Sequence, residues 1–348
     1  MAVISKKKIP YPVSPALRKY LLKYDRETNL RIEYDDLQRY DNSIPQYDSK
    51  GNDTLWETVF YPQSDMDNIH QSLKEIYGIM KASGDMSVME HLYIDRVDLC
   101  VYGNTQPFRI RVMNRINDNF DYFYVKNADA SRIYGLELEH LLSPNRIAFI
   151  VHKQTLIEEH IVGIPGEQFI RTRMSDPELN RIRLAKEFVK FNERCFVRLL
   201  GDMHSSNFVV DITPDFEEMT YRLRAIDFDQ QSYEGRRAIY MPKYYKQNNP
   251  IIQLGMQMIT PESMHQYMRE ERTMIANRIK VEKERVNDLL ETMRSDRIAP
   301  QAHVKQLRVE LSAFYEEPKF LQCESMGDIV ELSLKMLFIK PDLYKDPL

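Results

Sequence analysis

The order of patterns along the chain predicts an α+β fold in two lobes, a small antiparallel-sheet lobe followed by a mostly helical one. Three observations carry this expectation. Residues 96–102, 108–113 and 121–126 alternate in polarity or are dense in aromatic and β-branched side chains, as strands are. Residues 261–294, 304–314 and 326–338 carry helical periodicity, so helices dominate the later part. A length of 348 residues is enough for two units, each with a core of its own.

In chain order, residues 1–50 are rich in Tyr, Asp, Asn and Pro, and residues 67–81 form an amphipathic helical pattern with Ile69, Leu73, Ile76, Tyr77 and Met80 apolar. Segments 96–102 and 108–113 flank Gly103-Asn104-Thr105-Gln106-Pro107, a hairpin-turn composition. The third strand ends on Lys126, and residues 130–142 follow as a helix with Ile133, Leu136, Leu138, Leu141 and Leu142 apolar. Gly163, Pro165 and Gly166 mark a turn of the chain. Residues 208–210 and 221–226 read as strands, with a turn at residues 211–215 between them. Pro261 and Glu262 open a long helix that is sustained through Met293, in which Met264, Met268 and Met274 read as core filler.

Composition narrows the partners. Hydrophobic residues make up 43% and charged residues 29%, which describes a globular chain. A net charge of −4 and a pI near 6.1 give no reason to expect nucleic acid. Cys100, Cys195 and Cys323 lack the paired spacing of a zinc site or disulfide framework, so a reducing, cytoplasmic setting is expected. No run approaches the roughly 20 apolar residues that span a bilayer, and no membrane insertion is expected.

The chemistry is concentrated in Gly201-Asp202-Met203-His204-Ser205-Ser206-Asn207, followed by Ala225-Ile226-Asp227-Phe228-Asp229. An Asp, an Asn five residues on and a second Asp closing an apolar run supply the minimum kit for phosphoryl transfer, which is mostly a matter of positioning and charge neutralisation. Asn207 and Asp227 offer the oxygen ligands that Mg²⁺ prefers, and Asp202 is placed to orient an acceptor hydroxyl. Asp229 is a further candidate for the metal shell.

The Gly-Asp-x-His-x-x-Asn run and the Ile-Asp-Phe that follows it resemble the catalytic segments of the aminoglycoside phosphotransferase and choline kinase group within the protein-kinase-like fold. Leu200 stands where that pattern has a leading His. The resemblance covers about residues 95–235 and implies ATP and Mg²⁺ as cofactors and a hydroxyl-bearing acceptor, with a small molecule favoured. It implies that Lys126 meets the nucleotide phosphates and that a carboxylate on helix 130–142 orients it, Glu137 first and Glu139 second. Gly103 and Asn104 fall where a phosphate-covering loop belongs, and residues 158–166, with Glu159, His160 and Ile161, fall at the lobe connector that meets the adenine edge. The division that follows is an N-terminal extension over 1–94, a nucleotide-binding lobe over 95–157, the hinge, and a helical lobe over 167–348.

Three other chemistries are open at this stage. A pseudokinase or scaffold would bind nucleotide without transfer, and Leu200 and the Gly-poor 103–107 loop favour it. A nucleotidyl transferase would leave AMP on the acceptor. A metal hydrolase could use Asp202, His204 and Asp227 as ligands, but the chain has no H-E-x-x-H.

Overall fold

A computed structural model of the chain describes residues 8–82, 89–102, 105–214 and 219–342. Its elements in order are helices α1 (Pro15–Lys23) and α2 (Tyr34–Leu37), strands β1 (Asn42–Tyr47) and β2 (Asp53–Phe60), helix α3 (Gln63–Ala82), and strands β3 (Leu92–Cys100), β4 (Phe108–Asn114) and β5 (Phe120–Asn127). Helix α4 (Ala130–Leu142) precedes β6 (Phe149–His152), β7 (Thr155–Glu159) and β8 (Ile164–Pro165). Then come α5 (Gly166–Arg173), α6 (Arg181–Arg198), β9 (Phe208–Pro214) and β10 (Met219–Ala225). The chain closes with α7 (Asn249–Met258), α8 (Pro261–Val281), α9 (Lys283–Ser295), α10 (Gln301–Tyr315) and α11 (Met326–Ile339). An antiparallel-sheet part and a helical part make this an α+β chain, as the order of patterns predicts.

The chain forms two compact units and passes between them four times. The sheet unit comprises residues 12–129 and 147–160; the helical unit takes 130–146 and everything from 161 on, together with the stretch that ends at Tyr11. These are not the boundaries expected at residues 95 and 158. Residues 12–94 are part of the sheet unit, because β1 and β2 extend the same sheet, and α4 belongs to the helical unit although strands flank it in sequence.

The sheet has seven antiparallel strands in the order β1-β2-β3-β4-β5-β7-β6. Period-two alternation sends Phe108, Ile110 and Val112 of β4 and Phe123 and Val125 of β5 to one face, where they pack with Ile69, Leu73 and Ile76 of α3. The 67–81 pattern is thus the core stripe of α3. On the opposite face, cross-strand register lines up Asp98, Arg109, Tyr124 and Glu158 in one row over β3, β4, β5 and β7.

In the helical unit α6 is the central element. Its Leu184, Phe188, Phe191 and Phe196 are buried, and it carries buried charges as well. Glu193 pairs with Arg272 of α8 at 2.9 Å, and Arg194 pairs with Glu271 at 3.0 Å and Glu187 at 2.9 Å. The single long helix expected over 261–294 is instead α8 and α9. Its break is at Glu282, whose backbone N–H still donates to Arg278 O while the chain turns, letting Val286, Leu289, Leu290 and Met293 bury a separate stripe. The expected turn at 211–215 also differs: β9 runs on to Pro214, paired with Met219 of β10.

Candidate functional site

Helix α6 stops at Leu199, which takes the left-handed conformation (φ 54°), and its N–H closes the last helical turn on Phe196 O. Leu200, at the position of the missing His, is buried and bridges to Gln231 in antiparallel fashion. Gly201 N–H donates to Gln230 O, which brings the segment after Asp229 alongside the start of the loop. Asp202 is itself left-handed at φ 63°, an uncommon state for a residue with a Cβ, and its N–H donates to Ile239 O at 3.1 Å.

The loop closes on itself around that residue. Asp202 O accepts from His204 N–H at 2.9 Å and from Asn207 Nδ2 at 2.8 Å, and Asn207 Nδ2 lies 3.5 Å from Asp202 Oδ2. His204 Nδ1 accepts from Ser206 N–H at 3.3 Å, leaving the ring proton on Nε2, 3.8 Å from Asp202 Oδ1. Burial lowers the His204 pKa, against the opposing pull of Asp227 and Glu167. A neutral ring shaping the loop is the result. Helix α5 supports it from below: a Cβ on Gly166 would lie 2.6 Å from Ser205 O and 2.5 Å from the Phe208 ring, so only glycine permits this approach.

Strand pairing carries Asp227 to the same place. Ala225 of β10 pairs with Phe208 of β9, and Ile226 N–H donates to Asn207 O at 3.0 Å, so the residue after Ile226 leaves the hairpin beside the loop. Asp202, Asn207 and Asp227 therefore assemble within one compact unit. Burial, and then the like charges of Asp227, Glu234 and Asp229, push the Asp202 carboxyl up to about 7.

A residue that the sequence patterns did not single out completes the cluster. Arg132, buried on the first turn of α4, donates through Nη1 to Asp227 Oδ1 at 2.8 Å and to Asp229 Oδ1 at 2.7 Å. Asp229 N–H also donates to Asp227 Oδ1 at 3.0 Å, and Lys8 Nζ donates to Asp229 O at 2.6 Å. Helix α4 is fastened here by Ser131 Oγ, 2.6 Å from Gln231 O, and by Gly135, where a Cβ would come within 3.0 Å of Phe228 Cβ. The available signal was a charged side chain on the face of α4 that also carries Gly135 and Leu136.

Other expected residues have different surroundings. Lys126 donates to Glu158 Oε2 at 2.9 Å within the sheet unit, whereas Glu137 is buried in the helical unit and accepts from Arg285 Nε at 2.6 Å. Lys126 and Glu137 thus each have a charged partner within their own unit. Glu139 pairs with Arg198. The strand register explains Glu158, since it faces Tyr124 across β5 and β7, one step from Lys126 on the same face. Glu159 Oε1 accepts from Ala148 N–H at 2.8 Å, His160 Nδ1 lies 3.1 Å from Tyr124 Oη, and Ile161 is buried at the start of the next segment of the helical unit. Gly103 and Asn104 lie outside the described residues.

The oxygen set fits a hard divalent cation only in part. Among the described residues Asn207 Oδ1 accepts no hydrogen bond, and the Asp227 side chain is 35% exposed. Asn207 and Asp227 are thus of the right type. Yet among the described residues no group of three or more His, Cys, Asp or Glu side chains is arranged to hold a metal ion by itself, and Asp227 already has a cation beside it in Arg132.

No family model matches the chain, and no curated protein matches it. Solved structures do, among them one of titin kinase and its flanking domains, at 14% identity and a TM-score of 0.26 over 71% of this chain and 55% of that one. The chain therefore spans about half the length of that structure. No helix among the described residues is long and apolar enough to cross a membrane.

Proposed function

We propose that this chain is an ATP-dependent phosphotransferase that moves the γ-phosphate to a hydroxyl acceptor, a small molecule by the form of the Gly201–Asn207 motif. The observation that carries the reading is the convergence of Asp202, Asn207 and Asp227, with the carboxyl of Asp202 raised to about 7. A carboxylate poised near neutral pH can accept the hydroxyl proton of an acceptor held at hydrogen-bond distance. The left-handed backbone of Asp202, and the bonds its main-chain carbonyl accepts from Asn207 and His204, fix the place from which the carboxylate projects. Asn207 and Asp227, with Asp229 in support, would hold Mg²⁺, which when bound neutralises the charge of the transferring phosphate. Lys126 keeps its assignment to the nucleotide phosphates, and Glu158 is the carboxylate that orients it within the sheet unit. Glu159, His160 and Ile161 keep theirs at the connector. The three cysteines are free, which fits a cytoplasmic setting.

Calorimetric titration of ATP, with and without Mg²⁺, tests this on the wild type and on Asp227→Asn. The expected result is Mg²⁺-dependent binding that weakens by about tenfold or more in the variant. Folded wild type that binds no ATP would overturn the reading. The second reading, a nucleotide-binding protein without transfer, is favoured by Arg132 lying on Asp227 and Asp229. ATP turnover that vanishes in Asp202→Ala while binding persists decides for the enzyme, and product mass separates added phosphate from added AMP.

A further inference from the structure

The carboxylates of Asp227 and Asp229 share one guanidinium nitrogen, at 2.8 and 2.7 Å, in an arrangement that a metal ligand and its neighbour would otherwise present to a cation. The guanidinium carries the same sign of charge as a divalent ion and cannot be deprotonated in a protein. Its side chain is only 2% exposed, and the helix that bears it is fastened to the same segment by Ser131 and Gly135. Lys8 brings a second positive charge to the carbonyl of Asp229. Two like charges cannot share one oxygen at these distances without large repulsion.

We propose that Arg132 is a built-in competitor for the cation position of this site: it holds Asp227 and Asp229 in the metal-free protein, and a divalent ion binds only as the guanidinium leaves Asp227. This rests on the reading of Asp227 as a cation ligand. Arg132 acts on the reaction through Asp227, as a regulator of when the site is loaded. The ion binds more weakly to the resting protein than its oxygen ligands alone allow, and its binding is coupled to a movement of the first turn of α4.

The test uses Mn²⁺ alone, without nucleotide or acceptor, followed by the loss of its free-ion paramagnetic resonance signal. Arg132→Gln is expected to bind Mn²⁺ at least about tenfold more tightly than wild type, and Arg132→Lys, which keeps the charge, within about threefold of it. Equal or weaker binding by Arg132→Gln overturns the proposal, since Arg132 would then organise the ligands; so does absence of binding in both the wild type and the folded variant. Should Arg132→Gln not fold, the wild type still decides. An arginine-specific dicarbonyl reagent, mapped by mass spectrometry, is expected to modify Arg132 faster in saturating Mn²⁺ than without it, and an unchanged rate refutes the competition. Failure of the phosphotransferase reading is distinct: Mn²⁺ would bind in the expected order of affinities while no variant transferred phosphate.

Discussion

Two regions of the helical unit gather acidic and basic side chains, and they do so in opposite ways. Between α6 and α8 the buried carboxylates have guanidiniums that oppose the cost of burial in part: burial raises Glu193 while Arg272 pulls it down, and burial raises Glu271 while Arg194 pulls it down, with burial prevailing in both. At the loop the neighbours of Asp202 add to burial instead of opposing it, since Asp227, Glu234 and Asp229 all disfavour its charge. Arg132 is spent on Asp227 and Asp229, not on Asp202. A guanidinium beside each buried carboxylate, shared where Arg194 meets Glu187 and Glu271, is what a structural core needs, and a carboxylate left under like charge without one is a candidate for proton transfer. The contrast marks the loop as the candidate site without reference to any motif.

The largest effect that sharpens this contrast falls on activity. Under the proposed function, Asp202→Asn lowers the rate of transfer by roughly a thousandfold, within the range expected when a positioned base is lost. Wild-type activity should rise with pH as Asp202 ionises, because its ionised form is the competent one, with the inflection below about 7 where Mg²⁺ offsets the charges of Asp227 and Asp229. A profile flat from pH 5 to 8, with chemistry limiting, would break the assignment of Asp202 as the base.

Next in size is the balanced region. Arg194→Met leaves Glu187 and Glu271 without their shared partner, and removing one member of a buried ion pair costs about 3–5 kcal/mol. Urea unfolding of the helical transition measures it. A loss under about 1 kcal/mol would show that the α6 pairs are not what balances that core.

Stability then offers a test with the opposite sign. The folded pKa of Asp202, about 7, lies above its ordinary value of 3.8, so the folded state binds the proton more tightly than the unfolded state does. Below pH 4 both states are protonated and the group contributes nothing. As pH rises from about 4 to 7 the unfolded state ionises first and the metal-free fold loses stability. Asp202→Asn removes that loss, so at pH 8 the inactive variant should be more stable than wild type by on the order of 2 kcal/mol, with no difference at pH 4.

The smallest effect concerns the scaffold beneath the loop. Gly166→Ala puts a Cβ 2.6 Å from Ser205 O and should cost about 1–3 kcal/mol, with a larger fall in transfer than in nucleotide binding, because the loop shifts while the strand that carries Asp227 does not. Equal losses in both would mean that the two move as one.

Much of this chain is legible in its sequence. Helix 130–142 has the bounds that its apolar spacing predicts, strands β3, β4 and β5 fall where alternation places them, and the Asp202, Asn207 and Asp227 positions stand out by type and spacing. These are local properties: periodicities of 2 and 3.6 and short motifs are written in neighbouring residues. What the tertiary structure decided is which charges meet. Lys126 found Glu158 through strand register, Glu137 found Arg285 because α4 belongs to the helical unit, and Arg132 found Asp227 across nearly a hundred positions of sequence. The break at Glu282 and the place of residues 12–94 in the sheet are of the same kind. A carboxylate carries no local mark of its partner, and the choice among many guanidiniums and ammoniums is made by the packing of elements far apart in the chain.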